Sequence, residues 1–349
     1  MRESLMRPRF LSRFWSVMGL VCGFLVVSVM LSGCQKRVAP EVSQSSFALH
    51  GRAMGTSWSV LAQAENDESK DVLQKEIEVL LESVEDRFSH WRQFSEISRF
   101  NQSPAETMIP VTGEMLRLIR FGEEMRVASE GAFDIRVARR VAQRGFGPES
   151  LVRREGVQDF GHLQIGADPA SLTKKGGAFA VDLSAFVKGY AVDRIGALCA
   201  KNGIVNYLVE VGGELKASGQ NAEGELWGVG VEVPAPRGAS LNFAVRLQDE
   251  SIATSGNYRL FKKTSEGGIH SHLVDPRHAD SSEVMFRSVS VIHPEAMVAD
   301  AWATALFVLG EEGMKKAQEL NLSSCFLRLA PSGEVVRHMT GDFEESLSR

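Results

Sequence analysis

Asp300 and Thr304 stand four residues apart in a segment whose Ala301, Ala305 and Val308 repeat with helical spacing. On a helix that spacing places a carboxylate and a hydroxyl on one face, an oxygen-donor pair suited to a hard cation such as Mg²⁺. A second stretch, Val181-Asp182-Leu183-Ser184-Ala185-Phe186-Val187-Lys188-Gly189-Tyr190, sets a carboxylate and an ammonium six residues apart beside a glycine. Together the two stretches describe a place for a metal-bound pyrophosphate. Taken singly, each residue has a plainer use. Asp182 before Ser184 reads as a helix cap, Lys188 as a surface charge and Thr304 as an ordinary helix residue.

Other candidates for chemistry are weaker. His270 and His272 lie two apart, so on a strand they share a face and make half of a zinc site. With no HExxH and no cysteine partners, one catalytic or core histidine beside an exposed one is the commoner arrangement. His272 heads His272-Leu273-Val274-Asp275-Pro276, where the proline ends the strand near a sheet edge. Ser171-x-x-Lys174, Ser255-Gly256-Asn257 and Lys263-Thr264-Ser265 imitate the motifs of serine penicillin-recognising enzymes. The SxxK lies among Gly, Pro and Lys rather than opening a helix, and the other two elements are too close together. No phosphate-binding P-loop, complete GxGxxG or GxSxG is present.

Elements of both classes must position these residues. A strand pair is expected at 47–50 and 56–62, then an amphipathic helix carrying Leu73, Ile77, Leu80, Leu81, Val84 and Phe88. A second helix is expected over 112–129 and a third over 189–200. Residues 146–177, rich in Gly, Pro and charge, read as a loop-rich insertion. From 207 to 292 apolar β-formers alternate with Gly and Pro turns, as in an antiparallel sheet. Helix is expected again over 297–320, and a closing strand at 325–329. The reading is an α+β (mixed α/β) body with antiparallel-rich sheets and packed helices.

The N-terminus points to export. Arg2, Arg7, Arg9 and Arg13 precede an apolar run from 14 to 30, closed by Leu31-Ser32-Gly33-Cys34, the layout of a secretory leader. The run is shorter than the ~20 residues that span a bilayer comfortably. Cysteine after Leu-Ser-Gly is similar to a lipoprotein lipobox, which makes Cys34 the lipidated first residue of the mature chain. Gln35 in the next position favours the outer membrane by that same resemblance. The organisation is thus a leader at 1–33, a polar tether at 34–46 and one body over 47–340. The formal charge of −5 becomes more negative once the leader's arginines are removed. An acidic body argues against a nucleic-acid partner. Export permits a disulfide between Cys199 and Cys325, but two lone cysteines in apolar surroundings, outside any CxxC, are more often buried thiols.

Eight segments in order carry a wider resemblance. They are Met54-Gly55-Thr56, then Phe88-Ser89-His90-Trp91 leading to Ser95-Glu96-Ile97-Ser98-Arg99-Phe100-Asn101, and Gly131-Ala132-Phe133-Asp134. The 182–190 stretch with Asp193 follows, then Gly212-Gly213-Glu214, Ala253-Thr254-Ser255-Gly256-Asn257-Tyr258, the 272–276 stretch and the 300–304 stretch. From about residue 50 to 330 the chain resembles the ApbE family of FAD:protein FMN transferases. That resemblance implies an ApbE/T-fold-like architecture and transfer of FMN from FAD to a threonine or serine of an acceptor flavoprotein. The acceptors it suggests are subunits of quinone reductases or electron-transport chains. It puts Mg²⁺ on Asp300, Thr304 and the backbone carbonyl of Ala185, with Ala303 as a further main-chain candidate. It puts FAD against Met54, Trp91, Ala132, Phe133, Asp134, Asp182, Lys188 and Val274, with His272 taking the acceptor proton. Trp91 stands where the family often carries tyrosine, and Ser184-Ala185-Phe186-Val187 replaces a more usual Gly-Gly-Ile-Ala. A flavin carrier without transfer activity and an FAD pyrophosphatase remain as alternatives sharing the same pocket.

Overall fold

The computed structural model describes residues 45–348, apart from 65–67, 153–160, 236–237, 257–260, 264–268, 272, 279–285, 331 and 333. The expected leader, Cys34, most of the tether, and His272 therefore lie outside the described residues. The chain opens with β1 (Ser45–Ala53), β2 (Thr56–Ala64), α1 (Glu68–Phe88), α2 (Glu96–Gln102), β3 (Met108–Pro110), α3 (Gly113–Ala128) and α4 (Ala138–Gln143). It continues with β4 (His162–Ala167), β5 (Ala170–Lys175), α5 (Val187–Lys201), β6 (Tyr207–Val211), β7 (Glu214–Ser218), β8 (Trp227–Ala235), β9 (Gly238–Leu247) and β10 (Ser251–Gly256). β11 (Phe261–Lys263), β12 (Ile269–Ser271), β13 (Ser288–His293), α6 (Ala296–Leu309), α7 (Glu311–Glu319), β14 (Ser323–Leu329) and β15 (Val335–Thr340) complete it.

One eight-stranded sheet, in the order β1-β2-β6-β7-β10-β13-β14-β15, organises the molecule, and its pairings are antiparallel. Helices pack on it by their apolar faces. Leu73, Ile77 and Leu81 of α1 join Ala191, Val192 and Ile195 of α5 over Val60 and Val209 of the sheet. Ile119 of α3 and Leu306 of α6 share a larger cluster with Val289 and Phe326. The antiparallel-rich α+β expectation holds.

Three local expectations need correction. Within the expected loop-rich insertion 146–177, residues 162–175 are instead a hairpin of β4 and β5, joined by β3 into a three-stranded sheet. Expected helix 297–320 is two helices, broken at Gly310, whose φ of 63° requires the left-handed region that glycine adopts freely. A further strand, β15, follows the one expected to close the sheet.

Lys174 of the SxxK sequence is a structural residue. Its side chain is 1% exposed on β5, and its Nζ donates to the carbonyls of Asn101 and Ser103, each at 2.9 Å. Two carbonyls left over at the end of α2 are thereby satisfied. Burial, aided by nearby Arg139, pushes its pKa down to about 8. Between about pH 8 and the ordinary lysine value of about 10.4 the folded form is neutral while the unfolded chain keeps its proton, so stability rises with pH. Urea midpoints at pH 7.5 and 9.5 are expected to show that rise in the wild type relative to Lys174→Met, which has no such group to titrate.

α5 and α6 touch at Gly189. A Cβ there would fall 2.3 Å from the carbonyl oxygen of Ala296, backbone that cannot move aside cheaply. Gly189→Ala is expected to wedge the helices apart and destabilise the protein by roughly 1–3 kcal/mol, read as a lower urea midpoint.

Candidate active site

A cavity of about 1200 Å³ is lined by residues of the large sheet, of β8 and of the segments around α1, α4 and the start of α5. Met54, Trp91, Ala132, Phe133, Asp134, Asp182, Lys188 and Val274 all line it, as do Ala185, Asp300 and Thr304. Residues from distant parts of the chain are thus brought to one cavity. Ala303 is set apart. It is fully buried midway along α6, where the helix ladder engages its carbonyl, and it does not line the cavity.

Each side chain is held by an identifiable partner. Met54 sits in the two-residue turn of the β1–β2 hairpin at φ 53°, a left-handed conformation uncommon for methionine. Its N–H donates to Glu85 Oε1 of α1 at 3.0 Å, which fixes the turn against the helix. Trp91 follows α1 and is 64% exposed, so its ring stands at the mouth with room to stack on a planar ligand. Phe133 is held through its N–H to Ser129 Oγ at 2.9 Å. Asp134 is gripped by the Arg136 guanidinium at 2.6 to 3.1 Å, so its carboxylate is already neutralised by charge. Val274 belongs to a loop tied to α4 by Arg144, donating to the Leu273 carbonyl at 3.1 Å, and by Arg140, donating to that of Pro276 at 2.8 Å.

The 181–190 stretch wraps the start of α5. Asp182 Oδ1 accepts from the Ser184 N–H at 2.8 Å, the capping turn expected of this pair, and lies 3.2 Å from His90 Nδ1. Burial pushes the Asp182 carboxyl up, but the His90 charge and hydrogen bonds outweigh it and hold it below the usual range. The same contact raises His90 against the lowering effect of its own burial. Lys188 Nζ is 2.5 Å from Glu214 Oε1, and Glu214 is 3% exposed with its Oε2 unpartnered.

Asp300 Oδ2 accepts the Gly189 N–H at 3.0 Å, and the side chain is 4% exposed. Burial pushes its pKa up to about 8; Glu214 adds to this, while Lys188 and the Gly189 bond oppose it. Thr304 Oγ1 shares a hydrogen bond with Ser255 Oγ of β10 at 2.9 Å. Asp300 and Glu214 set two buried carboxylates against one ammonium, and such an excess of negative charge calls for a cation. Among the described residues no three His, Cys, Asp or Glu side chains gather as a metal cage. Carboxylate with neutral oxygens is the donor chemistry of Mg²⁺, which takes few protein ligands and fills its shell with water and phosphate. Asp300, Thr304 and the Ala185 carbonyl therefore fit that ion.

Four neighbours of the site had no role assigned from the sequence: Glu85, His90, Glu214 and Ser255. Their signal is a partner far away in the chain, which local spacing does not carry. His90, Glu214 and Ser255 did stand within the segments that carry the family resemblance, without a role of their own.

The family model described as "ApbE family" matches residues 54–326. The FAD:protein FMN transferase of Vibrio cholerae serotype O1 is 32% identical over 333 residues, covering 92% of this chain and 97% of its own length. That of Escherichia coli K12 is 31% identical over 309 residues, covering 84% and 87%. Among solved structures, the flavin transferase ApbE from Vibrio cholerae superposes with a TM-score of 0.77 at 31% identity, over 87% of this chain and 100% of the other. The apo flavinyl transferase ApbE of Pseudomonas stutzeri gives 0.77 at 30% identity, over 88% and 98%.

Because Asp300 is buried beside a second carboxylate, its pKa rises to about 8, so without a cation it must take up a proton to fold at pH 7.5, and that uptake costs stability. Asp300→Asn removes the titrating group at almost constant volume. In chelator at pH 7.5 the variant is expected to melt above the wild type, by roughly 2–4 °C per kcal/mol of that cost. Added Mg²⁺ is expected to raise the melting temperature of the wild type and leave the variant unmoved.

Proposed function

The chain belongs to the ApbE family, and on that footing we propose that it transfers the FMN part of FAD to a threonine or serine hydroxyl of an acceptor flavoprotein, releasing AMP. The observation that supports this reading is that Asp300 and Thr304 line the same cavity as Asp182 and Lys188. In the proposed complex Met54 and Trp91 pack against the isoalloxazine, while Asp134 and Asp182 accept hydrogen bonds from its polar groups or the ribityl chain. Lys188 turns its charge toward phosphate, and Glu214 keeps it in place. Asp300, Thr304 and the Ala185 carbonyl hold Mg²⁺, which when bound offsets negative charge on the pyrophosphate and the departing AMP.

The acceptor hydroxyl oxygen bonds to the FMN-side phosphorus as the bond from that phosphorus to the AMP oxygen breaks. His272 takes the hydroxyl proton, an imidazole being suited to that work near neutral pH. Catalysis then rests on positioning and electrostatics, without a covalent enzyme intermediate. The leader-like N-terminus and Cys34 support a lipid-anchored protein on the periplasmic face, in the outer rather than the inner membrane. An exported flavoprotein of an electron-transport or quinone-reductase assembly is the acceptor this placement favours.

With FAD, Mg²⁺ and an acceptor, mass spectrometry is expected to show the acceptor heavier by one FMN, with AMP released only when acceptor is present. Chelation is expected to abolish transfer, and His272→Ala to slow it by about 10²–10⁴-fold. AMP formed equally without acceptor would identify a pyrophosphatase, and FAD left intact in every mixture a carrier. Full-rate transfer by His272→Ala would remove that residue from the mechanism.

A further inference from the structure

We propose that His90 is a binding residue for FAD, its Nε2 donating a hydrogen bond to an oxygen of the dinucleotide. The inference rests on the reading of the cavity as an FAD site and adds a residue to it. His90 follows α1 in the turn that carries Trp91, and its side chain is 8% exposed. One ring nitrogen, Nδ1, is committed to Asp182 at 3.2 Å. The carboxylate can only accept, so Nδ1 carries a hydrogen and the ring orientation is fixed. The other nitrogen, Nε2, is buried and has no hydrogen-bond partner among the described residues.

Buried polar atoms are almost always paired, and an exception asks for an explanation. His90 is one of the residues that line the cavity. Its ring lies 5.6 Å from that of Trp91, tilted by 41°. Trp91 is itself largely exposed and lines the same cavity. An occupant of the cavity is then the partner that Nε2 lacks. FAD offers oxygens of the required kind in its flavin carbonyls, ribityl hydroxyls and phosphates. The raised pKa of His90 favours the doubly protonated ring, in which Nε2 is a donor.

Two conservative substitutions separate the two ring nitrogens. The amide of asparagine reaches the place of Nδ1, and that of glutamine the place of Nε2. FAD titration, followed by flavin fluorescence, would be run on the wild type, His90→Asn and His90→Gln, with thermal melts to confirm folding. If Nε2 meets the ligand, His90→Asn loses about tenfold in affinity, or about 1.4 kcal/mol, while keeping its melting temperature. His90→Gln then binds FAD within about threefold of the wild type, even if it melts lower. Wild-type affinity in His90→Asn, or a loss confined to His90→Gln, would overturn the proposal and leave His90 as a support for Asp182 alone. A wild type that fails to bind FAD at all would overturn the reading of the cavity itself.

Discussion

The close approach of α5 and α6 at Gly189 is the constraint from which the site follows. The absent side chain lets the first turn of α6 lie against α5, with Ala296 over Gly189. The Gly189 N–H is then near enough to donate to Asp300. Asp193, four residues along α5, accepts the N–H groups of Ala296 and Met297 at 3.0 and 2.9 Å. A carboxylate on the unpaired amides of a helix start stabilises that start and complements its dipole. Lys216 of β7 pairs with the same carboxylate at 3.0 Å. One junction thus sets the angle and height of α6 on the sheet, and with them the positions of Asp300 and Thr304.

The charges gathered by that junction do not balance among the described residues. Asp182 has His90 and Asp134 has Arg136, so each carboxylate on that part of the wall has a cation. Lys188 must serve both Glu214, which it touches, and Asp300, which it influences from beside it. A buried anion without full compensation costs stability, and the usual escape is to take up a proton. Asp300 is poised to do so near neutral pH unless a cation takes the place. The deficit of positive charge around Asp300 and Glu214 is the feature on which the proposed cation site rests.

Much of this was legible from residue types and spacing, where the physics is local. The helices α1, α3 and α5 declare themselves through apolar spacing, and α3 also through Thr112, which caps it by accepting the Met115 N–H. The Asp300–Thr304 pair is likewise set by one helical turn. What stayed hidden depends on partners far away in sequence. β4 and β5 contain Gly, Lys and Gln at positions that look like loop, but Leu172 is buried and the hairpin is stabilised by pairing with β3. The break at Gly310 is a single backbone angle within an otherwise continuous helical pattern. His90, Glu85 and Ser255 join the site through contacts spanning from 31 residues, for Glu85 with Met54, to 49 for Ser255 with Thr304, and 92 for His90 with Asp182. No local periodicity encodes those distances.

The small sheet gives the misleading SxxK sequence its physical meaning. Asn101 presents its side-chain amide to the backbone of Val181, donating to the carbonyl at 2.8 Å and accepting the N–H at 2.7 Å. It acts as a substitute strand for a residue that has no sheet neighbour on that side. Lys174 holds the main chain of Asn101 from behind, through the carbonyl hydrogen bond, and its ammonium lies 5.1 Å from the Phe100 ring. The path runs from β5 through Lys174 and Asn101 to Val181, and Val181 directly precedes Asp182. A buried lysine at a cost in desolvation is an odd choice for mere packing. It is an intelligible one where the residue after its clamp must present a carboxylate to a cavity without drifting. The three-stranded sheet is therefore part of the active-site support, although none of its strands lines the cavity.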